Sequence, residues 1–271
     1  MKTSFKIFIA KYLSKILIYT LSNSPTITKR KKINWKLDLN EAIDLSIFLF
    51  GSFEPSIQKI VKNILKNETK NIDIIDIGAN CGSHTLNFAN EHKFSRIFAI
   101  EPTKYGYDKL IENIELNPDL KKNIIPIQAF ISSKNAIPNQ VYSSWELNTD
   151  NQKHSEHKGI KKFTTNANIF SLDDFTEKYK IKESLIKCDV DGNELFVFES
   201  GVNYLKKFKP KIVMELAPYL YKEYGYTAYD LLKIIKYYGY NFYDSNFKKI
   251  SSIDEYIRKI NKGSSKNIFL A

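Results

Sequence analysis

Residues 74–86 read "IIDIGANCGSHTL": a short apolar run, an aspartate at position 76, then a turn built on Gly78 and Gly82. A buried strand, a glycine turn and a helix in that order form a βα unit. Open α/β sheets bind ligands in the crevice at the carboxyl ends of such strands, where strand order reverses. The charge at this turn is the informative feature. Dinucleotide sites use G-x-G-x-x-G and hold a pyrophosphate on the helix N-terminus. Here the spacing is D-x-G-x-x-x-G, and Asp76 stands in front of the turn. A carboxylate at that position favours a cationic ligand.

S-adenosylmethionine meets that requirement, because it has an ammonium and a sulfonium against one carboxylate and no phosphate. Glycines at 78 and 82 let the backbone approach its methionine portion. The next strand, "RIFAIE", closes on Glu101. An acid there can accept hydrogen bonds from both ribose hydroxyls. Asn80 inside the turn and Ala129 on the third strand complete the expected cofactor contacts, together with Asp189 further on.

Outward from this unit the chain alternates. "EPSIQKIVKNILKN", "SHTLNFANEH" and "KYGYDKLIENIELN" have helical periodicity, while "NIDIIDI", "RIFAIE" and "NIIPIQAFIS" read as buried strands. The alternation pauses over a long polar stretch, 132–168, whose length suits a substrate lid. It resumes with "SLDDFTEKY" as a helix capped by Ser171, followed by "SLIKCDV", "NELFVFESGVNYL", "PKIVMEL", "AYDLLKIIKYYG" and "YNFYD". Such a pattern implies a mainly parallel sheet with helices on both faces. The expected organisation is a basic N-terminal extension over 1–36 and one catalytic domain over 37–271.

The chain of 271 residues carries a net charge of +11, and residues 1–36 hold nine basic side chains and no acid. The remainder is nearly neutral, which argues against a nucleic-acid enzyme with a basic face around its site. Residues 3–21 place Phe5, Phe8, Ile9, Tyr12, Leu13, Ile16 and Tyr19 along one side of a helix, with Lys11, Ser14 and Lys15 opposite. Two readings stay open for this helix: packing against the core or a second copy, or peripheral contact of residues 1–32 with an anionic membrane. Lysines interrupt the segment too often for a membrane span, and no cleavage site follows. Two cysteines, Cys81 and Cys188, make neither a disulfide framework nor a Cys-type zinc site, and are expected as small core residues near one another. The expected location is cytoplasmic, at the inner face of the membrane under the second reading.

"IIDIGANCGSHTL", "FAIEPTKYGYDKLIENIELN" and "SLDDF…SLIKCDVDGNELFVFESG…KPKIVMEL" resemble the FkbM-type methyltransferases over roughly residues 45–245. Members use S-adenosylmethionine and mostly O-methylate sugars and polyketide-type products. The resemblance implies a Rossmann-like class I methyltransferase fold, with a seven-stranded, mainly parallel sheet ending in an antiparallel hairpin. The hairpin suits "YNFYD" and the terminal "KNIFLA". It also implies an O-methyltransferase acting on a sugar or glycan hydroxyl, such as a cell-surface polysaccharide or related glycoconjugate. The alternatives are an RNA 2′-O-methyltransferase, with Lys187, Asp189, Lys211 and Glu215 as a relay, or a non-catalytic S-adenosylmethionine-binding module.

Methyl transfer from a sulfonium needs alignment and a base for the acceptor's proton. Asp189 and Asp191 in "CDVDGNEL" are the candidate catalytic acids, and His84, two residues past the turn, is the candidate histidine. Glu194 fits the first turn of the following helix. These acids with Glu215 could hold Mg²⁺ through oxygen, although nothing in the spacing requires a metal. His154 and His157 in the polar stretch read as solvated loop residues. Nine of the 17 tyrosines fall in residues 219–243, where aromatic faces suit sugar rings, with Trp145 as a further candidate. Lys187 sits in a buried strand, which requires an acid beside it.

Overall fold

The computed structural model describes residues 3–21, 25–66, 68, 71–93, 95–134, 138–143, 147 and 159–271, with side chains from Ala10 onward. Trp145, His154 and His157 lie outside the described residues. The N-terminal elements are α1 (Thr3–Leu21), β1 (Thr26–Arg30), β2 (Ile33–Leu37), α2 (Ala42–Phe50) and α3 (Pro55–Lys66). Then come β3 (Asp73–Ile77), α4 (Ser83–Glu91), β4 (Ile97–Ile100), α5 (Lys104–Glu115), α6 (Pro118–Lys121), β5 (Ile124–Ile127) and β6 (Ala129–Ile131). The polar stretch contains β7 (Gln140–Tyr142) and β8 (Lys161–Phe163) and leads to β9 (Asn168–Phe170) and α7 (Leu172–Lys178). The C-terminal part has β10 (Ser184–Cys188), α8 (Glu194–Glu199), α9 (Val202–Phe208), β11 (Lys211–Leu216), α10 (Pro218–Tyr221), α11 (Ala228–Tyr237), β12 (Phe242–Asp244), α12 (Ile253–Arg258) and β13 (Lys266–Leu270).

Seven strands form one sheet in the order β12-β13-β11-β10-β3-β4-β5. Strands β11, β10, β3, β4 and β5 are parallel, and β13 runs antiparallel between β11 and β12. This is the Rossmann-like class I methyltransferase arrangement. Chain order reverses between β3 and β10, so their carboxyl ends flank the ligand crevice. Strand β3 explains its own position: Ile75 and Ile77 belong to one core cluster and Ile74 to the other. A strand covered on both faces has to be apolar along its length. Ser171 caps α7 by accepting from the Asp174 amide, as its place in the sequence suggests.

Several features differ from the sequence reading. "NIIPIQAFIS" is two strands, because β6 leaves the main sheet and pairs in parallel with β9. Cys81 and Cys188 are both buried and free, but they belong to different core clusters rather than to one neighbourhood. Residues 26–37 form an antiparallel hairpin, so residue 36, where the extension was expected to end, lies within a strand. In β2, Ile33, Trp35 and Leu37 are fully buried, and the alternate Asn34 and Lys36 bond to Asn117 and Asn113. This is period-two patterning that the adjacent basic run obscures.

Helix α1 docks by an unexpected side. Ser14 is fully buried and donates to the Leu39 carbonyl at 2.7 Å, with Leu17 and Ile18 packed on the core. Tyr12, Ile16 and Tyr19 of the apolar stripe are exposed, so these three do not pack on the core. Among the described residues no helix is long and apolar enough to cross a membrane.

Candidate functional site

The turn after β3 rests on a buried ion pair. Lys187 is the β10 residue in register with Asp76 of β3, and the two side chains meet at 3.2 Å. Both are withdrawn from solvent, at 2% and 0% exposure. Asp76 also accepts from Thr85 Oγ1 at 2.6 Å. Lys187 Nζ donates to the Gly78 carbonyl at 2.8 Å and lies 3.7 Å from Asp189. Burial alone would depress the lysine, but the carboxylates of Asp76 and Asp189 outweigh it and its pKa lies above the ordinary value. The acid that the buried lysine needed is thus Asp76. Asp76 lies under the turn and is not among the residues lining the cavity, so its charge faces Lys187 rather than a ligand.

Gly78 has φ +81, and a Cβ there would stand 1.8 Å from the Asp189 carbonyl oxygen. Only glycine lets the two strand ends come this close. Gly82 is also left-handed, at φ +85, but its missing Cβ faces Leu110. It shapes the start of α4 and does not line the cavity.

Above the turn is a cavity of about 530 Å³, within the size range of small-molecule sites. One end is walled by Gly78, Asn80, Glu101, Pro102, Ala129 and Phe130. Glu101 accepts from the Asn80 amide (2.9 Å), the Thr103 amide (3.0 Å) and Thr103 Oγ1 (2.5 Å). Burial pushes its pKa up, and these hydrogen bonds pull against that. The other end gathers Glu54, His84, Asp189, Asp191, Glu215 and Tyr219. Burial raises Glu54 to about 7, helped by the Asp189 charge. Burial and the Asp189 charge likewise raise Asp191 and Glu215. His84 is 3% exposed, and neither ring nitrogen has a hydrogen-bond partner among the described residues. Burial lowers its pKa to about 4, so it is neutral at pH 7.

Asn80, Glu101, Ala129, Asp189, Asp191 and His84 therefore meet in one cavity with Gly78, while Asp76 and Gly82 support it from beneath. Asp191 and Gly192 have φ +48 and +98 and form the turn expected of them. Glu194 is fully buried and accepts from the Val190 amide, shaping that loop. Of the four residues of the RNA-type relay, Lys187, Asp189 and Glu215 line the cavity, whereas Lys211 pairs with Glu68 away from it. The tyrosine-rich segment mostly builds core: Tyr221, Tyr226, Tyr238 and Tyr240 are buried, and from that segment only Tyr219 lines the cavity among the described residues. Within the polar stretch, Val141, Tyr142 and Ser143 contribute a wall. Among the described residues no group of three or more His, Cys, Asp or Glu is arranged to hold a metal ion. Glu54 escaped the sequence reading: it lies between α2 and α3, and no local signal points it toward β10.

Residues 76–242 match the family model described as the methyltransferase FkbM domain. The chain belongs to the FkbM methyltransferase family. It is a methyltransferase, and the methyl donor this family implies is S-adenosylmethionine. Solved structures similar to it include methyltransferase FkbM from Methylobacillus flagellatus KT, 15% identical over 74% of this chain and 44% of that one, with TM-score 0.45. The chain thus spans less than half of that protein. Precorrin-6y C5,15-methyltransferase from Geobacter metallireducens GS-15 is 12% identical over 80% and 88% of the two chains, with TM-score 0.42. Human methyltransferase 10 domain containing protein is 11% identical over 97% of each chain, with TM-score 0.48. No curated protein matches the sequence.

The cavity of this FkbM-family chain fits that donor. Glu101 suits ribose hydroxyls, and Ala129, Phe130 and Pro102 offer an apolar slot beside it. The bare backbone of Gly78 leaves room at the turn, and the carboxylates beyond it suit a sulfonium.

Proposed function

We propose that the protein is an S-adenosylmethionine-dependent O-methyltransferase whose acceptor is a sugar or glycan hydroxyl. The observation that supports this most strongly is the convergence of Glu54, Asp189, Asp191 and Glu215 with neutral His84 beside the turn. An alcohol needs a proton acceptor as it becomes a nucleophile, and it needs several hydrogen-bonding partners to fix its orientation. When bound, the donor supplies a methyl group on an already activated sulfur. Asp189 is the carboxylate we assign to the acceptor's proton: it ends the central strand and has a cation, Lys187, 3.7 Å away. His84, Asp191 and Glu215 orient the remaining hydroxyls. Phe53 and Ile43, also in the wall, exclude water. The strand end reads "DVDG" in place of the N/D-P-P-[YF] tetrapeptide of amine-methylating enzymes of the nucleic-acid type.

The test is Asp189→Asn, assayed by mass spectrometry on a panel of glycan acceptors. Turnover should fall by about 10²–10⁴. Unchanged turnover in that variant contradicts the assignment. Methylation of RNA by the wild-type chain, with none of any glycan, contradicts the acceptor class.

A further inference from the structure

Helix α1 packs on the core through Ser14, Leu17 and Ile18, which leaves Tyr12, Ile16 and Tyr19 outward at spacings of four and three residues. Those residues share one helix face. They are 64%, 42% and 87% exposed. Helix α2 touches both α1 and β1. At its C-terminal end Leu49 and Phe50 are exposed, Phe50 by 73%, and on β1 Ile27 is 67% exposed. Adjoining elements thus expose six large apolar side chains. Exposed apolar side chains gathered on adjoining elements point to an interaction site.

The exposed charge carried by these elements has one sign. Lys15, Lys29, Lys31 and Lys32 are exposed, with Lys29 on the same face of β1 as Ile27 and the Lys31 stem against Gly51, next to Phe50. The acids of the same region, Asp38, Glu41 and Asp44, are buried or half-buried. Both Glu41 and Asp44 are held by Lys109. The exposed charge among the described residues 10–53 is therefore entirely positive.

We propose that this surface docks on an anionic lipid bilayer, with the six apolar side chains entering the interface and the lysines meeting the headgroups. Association of two copies through the same face would bring like charges together. Three of the six, Ile16, Ile27 and Leu49, are aliphatic and suit hydrocarbon, while Tyr12, Tyr19 and Phe50 suit the interfacial region. The proposal stands apart from the methyl-transfer chemistry but has a consequence for it. Ala42 and Ile43, at the other end of α2, line the cavity. A nine-residue helix is about 13 Å long, so docking holds the cavity close to the bilayer. An acceptor carried on a lipid would then be within reach.

Vesicle sedimentation of the full chain tests the proposal, using neutral phosphatidylcholine vesicles and vesicles containing phosphatidylglycerol. The chain should partition onto the anionic vesicles and not the neutral ones, with a steep loss as salt rises. Lys15→Glu and Lys29→Glu should each weaken partitioning at least fivefold. The pair Ile27→Ser and Phe50→Ser should weaken it at least tenfold, with melting temperature and donor-binding heat unchanged, which separates lost docking from lost folding or lost chemistry. Equal partitioning onto both vesicles, or partitioning indifferent to these variants, overturns the proposal. So does a dimer in the ultracentrifuge that the Ile27/Phe50 pair disrupts, or retention on RNA through the same lysines.

Discussion

Replacing Lys187 with methionine keeps the length and most of the volume of the side chain but removes the ammonium beneath the turn. At 3.2 Å from Asp76, the pair's attraction is about 5 kcal/mol at an effective dielectric of 20. Desolvation of the lysine offsets part of that in the intact protein. Removing one partner of a buried pair nevertheless costs about 3–5 kcal/mol, because the other charge is left uncompensated. Asp76 has no exposure through which water could compensate it, and the Gly78 carbonyl loses its 2.8 Å donor as well. Lys187→Met should therefore lower the urea-unfolding free energy by about 3–5 kcal/mol. Fluorescence of Trp35, fully buried in β2, supplies a signal. Adding Asp76→Asn to Lys187→Met should recover at least half of the loss, since the fully buried Asp76 charge is then removed together with its partner. A single variant within about 1 kcal/mol of wild type, or a double variant less stable than the sum of the two singles, refutes the reasoning.

Gly78→Ala should cost more stability than Gly82→Ala, which fluorescence-monitored urea melts can rank. Both sites are left-handed, but the first new methyl meets a backbone carbonyl at 1.8 Å and the second a leucine methyl at 2.8 Å that can swing away. Glu54→Gln should stabilise the protein at pH 8. The folded-state pKa of about 7, against an ordinary 4.5, means that wild-type stability falls as pH rises through this window. The gain is on the order of 2–3 kcal/mol and should vanish below about pH 4.5 in thermal melts. His84 acts in the opposite sense: lowered to about 4, it makes the wild type lose on the order of 3 kcal/mol as pH falls from 6.5 to 4. His84→Gln should flatten that part of the profile, and an unchanged slope contradicts the assignment.

The alternation of strand and helix was legible because each element advertises its own burial: "DIIDI" places isoleucines on both faces, and "KYGYDKLIENIE" carries a helical stripe. The demand of Lys187 for an acid was legible too, since a lysine in an apolar strand has few alternatives. That the acid is Asp76 was not, because the partnership depends on β3 and β10 lying in register across more than a hundred residues. The same pairing reassigns Asp76 from ligand contact to support. Glu54 was hidden for a related reason, as only the path of α2 and α3 brings it to β10. In α1 the stripe was legible but its direction was left open between two readings: one hydrogen bond from Ser14, together with Leu17 and Ile18, decides which side docks.

The account rests on the cavity between the β3 turn and the end of β10 receiving a cationic methyl donor. Isothermal titration of the full chain with S-adenosylmethionine and its spent thioether, alongside ATP and NAD, measures this directly. Saturable heat with the first two, abolished by Gly78→Ala and absent with the phosphate-bearing nucleotides, is the predicted result. Tight binding of a nucleotide phosphate, with no heat from the donor or its thioether on folded protein, contradicts it.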